Sequence, residues 1–298
     1  SPAVNAAGKD KPKKGQKGDD RAARPLDPAL AVGGERDGIP LRVAPYVMET
    51  DGLGTARVVI AAEVGTAPLT FTGTASERTA QLDVTVLGIS RDGPGSASLD
   101  SHVALGLDAK AVGGWWMFSR ELRLPPGPAQ IRALVRDSAS GRRGIVSARV
   151  EIPAPGVPYL STVISDRMTP AVAGRAPQLM PVAHRAFASD SVLYCAYEAY
   201  VTRGQELQEM PEVTGAYRIE DEKGRVVASD PPTAIAIALG AHIVRVLAFP
   251  LARLTPGSYR LTIEVADRAR DVDLQAHETF VVEPKQTAAL DVAKEKSR

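Results

Sequence analysis

"LPPGPAQIRALVRD", Leu124 to Asp137, is matched 130 residues later by "LTPGSYRLTIEVAD", Leu254 to Asp267. Each copy sets a leading Leu, a Pro and a Gly before an alternating apolar run that closes on Asp. Proline fixes φ, glycine relieves the bend and the Leu caps a core, so the start of each copy is a turn. The run that follows has period two, which puts Ile131, Ala133 and Val135 on one face of a strand, and Leu261, Ile263 and Val265 on its counterpart. The offset persists into the next apolar runs, where Val150 corresponds to Phe280 and Ile152 to Val282. Equal connections inside two such hairpins predict one topology used twice.

Outward from the first copy, "ARVVIAAEV" places Ala56, Val58, Ile60, Ala62 and Val64 on one side of a strand. "AQLDVTVLGIS" repeats the device with Leu82, Val84 and Val86, and "RDGPGS" turns the chain into a hairpin. With "PLRVAPYVM", "SHVALGLDA", "GWWMFSRELRL" and "IVSARVEI", about seven strands precede Pro153. After "PAPGVP" the series begins again with "YLSTVI", "SVLYCAYEAYV", "GAYRIED", "GRVVAS", two strands in the apolar stretch Ala234 to Leu254, "SYRLTIEVAD" and "HETFVVE". In "EDEKGRVV", Gly224 stands where a hairpin needs positive φ. No amphipathic helices lie between these runs, which predicts an all-β fold of two tandem immunoglobulin/fibronectin-like antiparallel β-sandwiches. Their bounds are 39–154 and 155–285. Tyr259 follows the second Leu-x-Pro-Gly as in the tyrosine corner of such folds, whereas the first copy has Ala129 there.

Residues 1–38 hold "GKDKPKKGQKGDDRAARP" and almost no large apolar side chains, so they read as a flexible basic linker. Residues 286–298 read as a polar tail. The whole chain has 298 residues and a formal net charge of +1, which gives no field to gather nucleic acid. Its most apolar stretch is interrupted by Gly240, His242, Arg245 and Pro250, so it reads as strands rather than a membrane span.

Chemistry-bearing motifs are sparse. Cys195 is the single cysteine, so neither an intrachain disulfide nor a multi-cysteine metal site can form, and its setting in "VLYCAYEAY" makes it a buried apolar residue. His102, His184, His242 and His277 are far apart in sequence, with neither the i, i+4 spacing nor a close acidic partner suited to zinc. There is no Gly-x-Ser-x-Gly elbow, phosphate loop or dinucleotide glycine motif. "DRARDVD", Asp267 to Asp273, gathers acids at a turn, but Arg268 and Arg270 oppose a Ca²⁺ cage. No metal, cofactor or catalytic residue is expected. Trp115 and Trp116 are the candidate surface-binding residues: adjacent strand positions face opposite ways, so one fills the core while the other is exposed and either docks a ligand or covers the sandwich edge or domain junction.

"PLRVAPYVM", "ARVVIAAEV", "RELRLPPGPAQIRALVRDSASGRRGIVSARVEIPAP" and "YLSTVI" resemble the region downstream of the von Willebrand factor A domain in bacterial VWFA-related exported proteins. The resemblance spans roughly residues 39 to 165 and is weaker beyond. The metal motif of that family's A domain, Asp-x-Ser-x-Ser, is missing: in "DSASG" from Asp137, Ala139 and Gly141 stand in place of the two serines. The resemblance implies an accessory, extracytoplasmic part, whether periplasmic, cell-surface or secreted. The resulting expectation is a non-catalytic interaction, adhesion or assembly module whose partner is a cell-envelope protein or a second copy. A carbohydrate-binding accessory module that holds glycan through the exposed tryptophan is the alternative, and a hydrolase built from loop acids ranks behind both.

Overall fold

The structure, a computed structural model, describes residues 38–50, 54–74, 78–91, 96–107, 112–170, 177–200, 212–235 and 242–285. The expected linker, apart from Gly38, and the expected polar tail lie outside the described residues. So does most of "IAIAL" in the apolar stretch; only Ile235 of it is described, buried just past a strand end.

Among the described residues there is no α-helix, and two stacks of antiparallel sheet carry the fold. In the first, β1 (Leu41–Thr50), β2 (Ala56–Gly65) and β6 (Trp115–Leu124) form a sheet in the order β1-β2-β6. Opposite lie β4 (Arg78–Ser90), β5 (Ser96–Leu107), β7 (Gly127–Asp137) and β8 (Arg143–Ile152), with β5 and β7 on either side of β4, β8 beyond β7, and the short β3 (Thr72–Gly73) extending β4. The second stack repeats this plan. Strands β9 (Tyr159–Ser165), β11 (Val192–Tyr200) and β14 (His242–Pro250) form one sheet in the order β14-β11-β9. β10 (Ala186–Ala188), β16 (Val272–Glu283), β15 (Gly257–Asp267), β12 (Val213–Asp221) and β13 (Val226–Ala234) form the other. Three strands facing four or more is the immunoglobulin- and fibronectin-like arrangement.

The duplicated sequence occupies the same place in both. β7 pairs with β8 from Gly127↔Ile152 to Arg136↔Arg143, and β15 pairs with β16 from Gly257↔Val282 to Asp267↔Val272, so adding 130 to the Gly127 and Ile152 numbers gives the second register. Gly127 begins its strand at φ 106°, in the region that side chains with a Cβ avoid. Gly224 turns the β12–β13 hairpin at φ 73°, as its sequence setting predicts.

The repeated Asp explains itself as a turn-builder. Asp137 and Asp267 are both fully buried, and Oδ1 of each accepts the N–H two residues on, from Ala139 at 3.0 Å and from Ala269 at 3.1 Å. The second oxygen is satisfied differently: Asp137 Oδ2 accepts Ser140 Oγ at 2.7 Å and the Thr70 N–H at 2.9 Å, whereas Asp267 Oδ2 accepts Arg270 Nη1 at 2.8 Å. A buried carboxylate without such donors would cost several kcal/mol. Asp267 thus spends its second oxygen on Arg270, one of the two arginines of the acidic turn.

Each sandwich buries its own apolar layer. Val58, Ile60, Leu82, Leu124, Ile131, Val135 and Ile152 meet in the first; Ile164, Leu193, Cys195, Leu261, Ile263 and Phe280 meet in the second. Each such large side chain contributes roughly 1.5–3 kcal/mol when fully buried. The structure departs from simple alternation in two places. β10 runs parallel to β16, because the chain leaves the three-stranded sheet after β9 and pairs with the edge of the facing sheet. And β2 is buried on both faces: Ala56, Val58, Ile60 and Val64 join the first core, while Val59 and Ala61 meet Val163 of the second sandwich.

Tyr259 forms the expected corner. Its hydroxyl donates to the Thr255 carbonyl at 2.6 Å and its ring stacks on Phe280, centroids 5.6 Å apart. Replacement by Phe keeps the ring but leaves that carbonyl short of a donor. Tyr259→Phe should lower the unfolding free energy by about 1–2 kcal/mol, read as an earlier urea midpoint with unchanged slope. An unmoved midpoint would remove the corner from the stabilising contacts.

Candidate functional site

The chemically dense region is the seam between the sandwiches. Its floor is a small apolar patch in which Ala44, Tyr46, Val59 and Ala61 of β1 and β2 pack on Val163 of β9. Strand alternation puts Glu63 on the same face as Val59 and Ala61, so its carboxylate enters the seam with only 1% of its side chain exposed. Oε1 accepts three hydrogen bonds from the second sandwich: the Ala183 N–H at 2.9 Å, the His184 N–H at 3.0 Å and His184 Nδ1 at 2.6 Å. Oε2 lies 3.3 Å from Arg42 Nη1, whose guanidinium carbon sits 3.9 Å above the Trp115 ring. On the other side of the imidazole, His184 Nε2 lies 3.4 Å from Asp166 Oδ1.

The electrostatics follow from this arrangement. Burial works to raise the Glu63 pKa, but the His184 hydrogen bonds and charge, with the Ala183 N–H, outweigh it and hold the carboxyl down at about 2. Burial likewise works to lower that of His184, and the two carboxylates on either side of the ring push it up to about 9. At neutral pH the seam therefore holds an imidazolium between two anions. Nδ1 bonds Glu63 and Nε2 faces Asp166, so the ring has no nitrogen left for a metal. No group of three or more metal-ligating side chains occurs among the described residues.

Beside this lock a groove of about 460 Å³ runs along the seam. Pro45, Tyr46, Pro153 and Tyr159 line it together with Arg185 and Glu278. Several of its hydroxyls tie one sandwich to the other: Tyr159 and Ser161 of β9 donate to the carbonyls of Met48 and Val47 of β1, and Tyr46 donates to the Val182 carbonyl at 2.7 Å. Burial pushes the Tyr46 hydroxyl up to about 12, so it stays a donor. Glu278 Oε1 accepts Thr162 Oγ1 at 2.8 Å, and its Oε2 is 3.7 Å from Arg185 Nη2.

The tryptophan pair divides as adjacent strand residues must. Trp116 turns inward onto the first core beside Phe118, and Trp115 is 41% exposed with Arg42 against its ring. Trp115 is thereby linked to the seam through Arg42. Cys195 is fully buried, and burial pushes its thiol pKa far up, so it acts as a core residue. His184 has two acidic partners, which are distant in sequence and brought to it by the seam; His102, on the surface, pairs with Asp83 at 2.9 Å. Glu63 and His184 were not legible as a pair. The available signal was Glu63 itself, a lone charge within the apolar run "VVIAAEVG".

No family model and no curated protein matches the chain. Among solved structures, the fibronectin(III)-like modules of Clostridium thermocellum CbhA are similar to it at 11% identity, over 78% of this chain and 87% of that one, with a TM-score of 0.21. The sandwich topology stands on the strand pairing described above. No helix among the described residues is long and apolar enough to cross a membrane.

The lock has a predictable pH dependence. The His184 pKa is raised on folding, so its stabilisation is complete below about 6.5 and is lost as pH rises through 9. The Glu63 pKa is lowered, so its share is complete above about 4.5 and is lost as pH falls through 2. Thermal midpoints should therefore decline from pH 6.5 to 9.5. Glu63→Gln should lower the midpoint near pH 6 by the equivalent of about 3 kcal/mol and flatten that decline. Parallel pH profiles for the two proteins would contradict it.

Proposed function

We propose that this chain is a non-catalytic interaction module that works outside the cytoplasm and takes up a strand from a cell-envelope protein along β14. The observation that carries this reading is the condition of that edge. Among the described residues, β14 pairs residue for residue with β11 on one side and ends its sheet on the other, and Val244 and Val246 are 56% and 51% exposed. Open edges are normally blunted by charge, proline or cover. Three other edges among the described residues follow that rule: β13 contains Pro231 and Pro232, β5 presents Asp100 and His102, and β6 carries Arg120, Glu121 and Arg123. β14 keeps proline to its last residue and, apart from His242 at its start, has Arg245 as its one ionisable side chain. An added strand would satisfy the edge amides and carbonyls and cover the two valines, the usual physics of strand addition.

The Glu63–His184 lock supports the same reading, because a fixed pair of sandwiches presents its edge without an ordering cost on binding. The extracytoplasmic setting rests on the resemblance of residues 39–165 to the accessory region of VWFA-related exported proteins. A Lys at position 246 would put a charge on the edge face without touching either core. Wild-type protein immobilised against a solubilised envelope fraction should retain a discrete partner, and Val246→Lys should lose most of that capture with an unchanged thermal midpoint. Equal capture by both proteins, or an inert monomer that retains nothing, would refute the strand-addition reading.

A further inference from the structure

The seam groove holds an arrangement that neither the lock nor the β14 edge uses. Glu278 is largely enclosed, with 14% of its side chain exposed, and carries one hydrogen bond, from Thr162 to Oε1. Its Oε2 and Arg185 Nη2 form an ion pair 3.7 Å apart, beyond hydrogen-bond distance, so an acceptor and a donor stand side by side with no hydrogen bond between them. Arg185 is steered into this position by its other nitrogen, Nη1, which donates to the carbonyls of Val182 at 3.2 Å and His184 at 3.1 Å. The surrounding hydroxyls of Tyr46, Tyr159 and Ser161 are already committed to backbone carbonyls. What the groove offers a ligand at its enclosed end is therefore one carboxylate oxygen, one guanidinium nitrogen and apolar walls from Pro45, Pro153 and the Tyr159 ring, with the exposed carboxylate of Glu151 at its rim.

This combination selects by charge and by spacing. An anion entering the groove meets Glu278 and Glu151, and a cation at the Glu278 end meets Arg185, so an uncharged ligand is the one that faces no like charge. It must present a donor and an acceptor on neighbouring atoms. A peptide amide points its N–H and C=O in opposite directions, whereas two adjacent sugar hydroxyls each donate and accept on the same side. The groove's volume of about 460 Å³ lies within the roughly 300–1,000 Å³ of small-molecule sites, and a boundary between domains is a common place for one.

We propose that the groove between the two sandwiches binds a neutral polysaccharide, with a vicinal pair of sugar hydroxyls bridging Glu278 Oε2 and Arg185 Nη2. The ligand takes the place of solvent at the Glu278 oxygen that has no hydrogen bond within the protein, and the sugar's C–H face lies on the proline and tyrosine walls. Desolvation raises the Glu278 pKa against the opposing pull of Arg185 and Thr162, as expected of a carboxylate short of donors. The site is independent of β14, and it places a glycan at the seam rather than on Trp115.

The test is calorimetric titration of the full chain with four neutral hexasaccharides, built of β-1,4-linked glucose, xylose, mannose or N-acetylglucosamine, and with N-acetylglutamine methylamide as a primary-amide control. At least one hexasaccharide should saturate the protein. Glu278→Gln should weaken that binding by about tenfold or more, Trp115→Ala should leave it unchanged, and Val246→Lys should leave it unchanged as well. The Gln variant removes a poorly solvated charge, so its thermal midpoint should equal or exceed that of the wild type, which separates lost binding from lost folding. The proposal is overturned if none of the four saturates by about 10 mM. It is equally overturned if binding survives Glu278→Gln and disappears with Trp115→Ala, or if the amide alone binds.

Discussion

The arrangement of this molecule depends on a carboxylate that has been taken out of water. Glu63 sits in the outward row of β2, and an isolated charge in that position would cost several kcal/mol. It is stable there because the second sandwich brings two backbone N–H groups and an imidazolium to one of its oxygens. The requirement runs both ways. The segment at Ala183 and His184 has its donors satisfied only when it lies against β2, so the seam is specified by polar geometry as well as by the modest apolar patch of Val59, Ala61 and Val163. Removing either side leaves the other with an unmet charge.

Duplication and divergence are both visible at the level of single bonds. The two closing hairpins share register, the glycine that opens them and the Asp whose Oδ1 receives the N–H two residues on. They differ in how the rest of the corner is fastened. The first uses Thr70 and Ser140 around Asp137 and has Ala129 where a tyrosine would stand; the second uses Arg270 and the Tyr259 hydroxyl. The same backbone path is thus held by different donors, which is why the turn signal survives in the sequence while its chemistry does not repeat. The edges diverge similarly: charge and proline mark those of β5, β6 and β13, and neither stands between Arg245 and the last residue of β14.

Period-two patterning, turn residues and the repeated offset were enough to read the class of fold, the two closing hairpins and the Tyr259 corner from the chain, because each rests on interactions among residues close in sequence. Burial of Cys195 and the division of Trp115 from Trp116 follow from strand alternation in the same way. The seam was not legible. Glu63 lies 121 residues from His184, and Thr162 lies 116 from Glu278, so nothing local marks them as partners. Alternation also leaves Val59 and Ala61 on the face of β2 away from the first core, and a pattern of apolar residues on both faces has no way to state which second body covers the outer one.

By itself, then, the sequence determined an all-β chain with one sandwich plan written twice, because strand burial and turn conformation are decided by neighbours along the backbone. Only the tertiary structure decided that the two units lock through Glu63 and His184, that a groove with Glu278 and Arg185 opens beside the lock, and that β14 ends its sheet among the described residues. These depend on which surfaces meet across long stretches of chain, where the selecting forces are desolvation of charge and satisfaction of buried donors, and no short-range pattern encodes them.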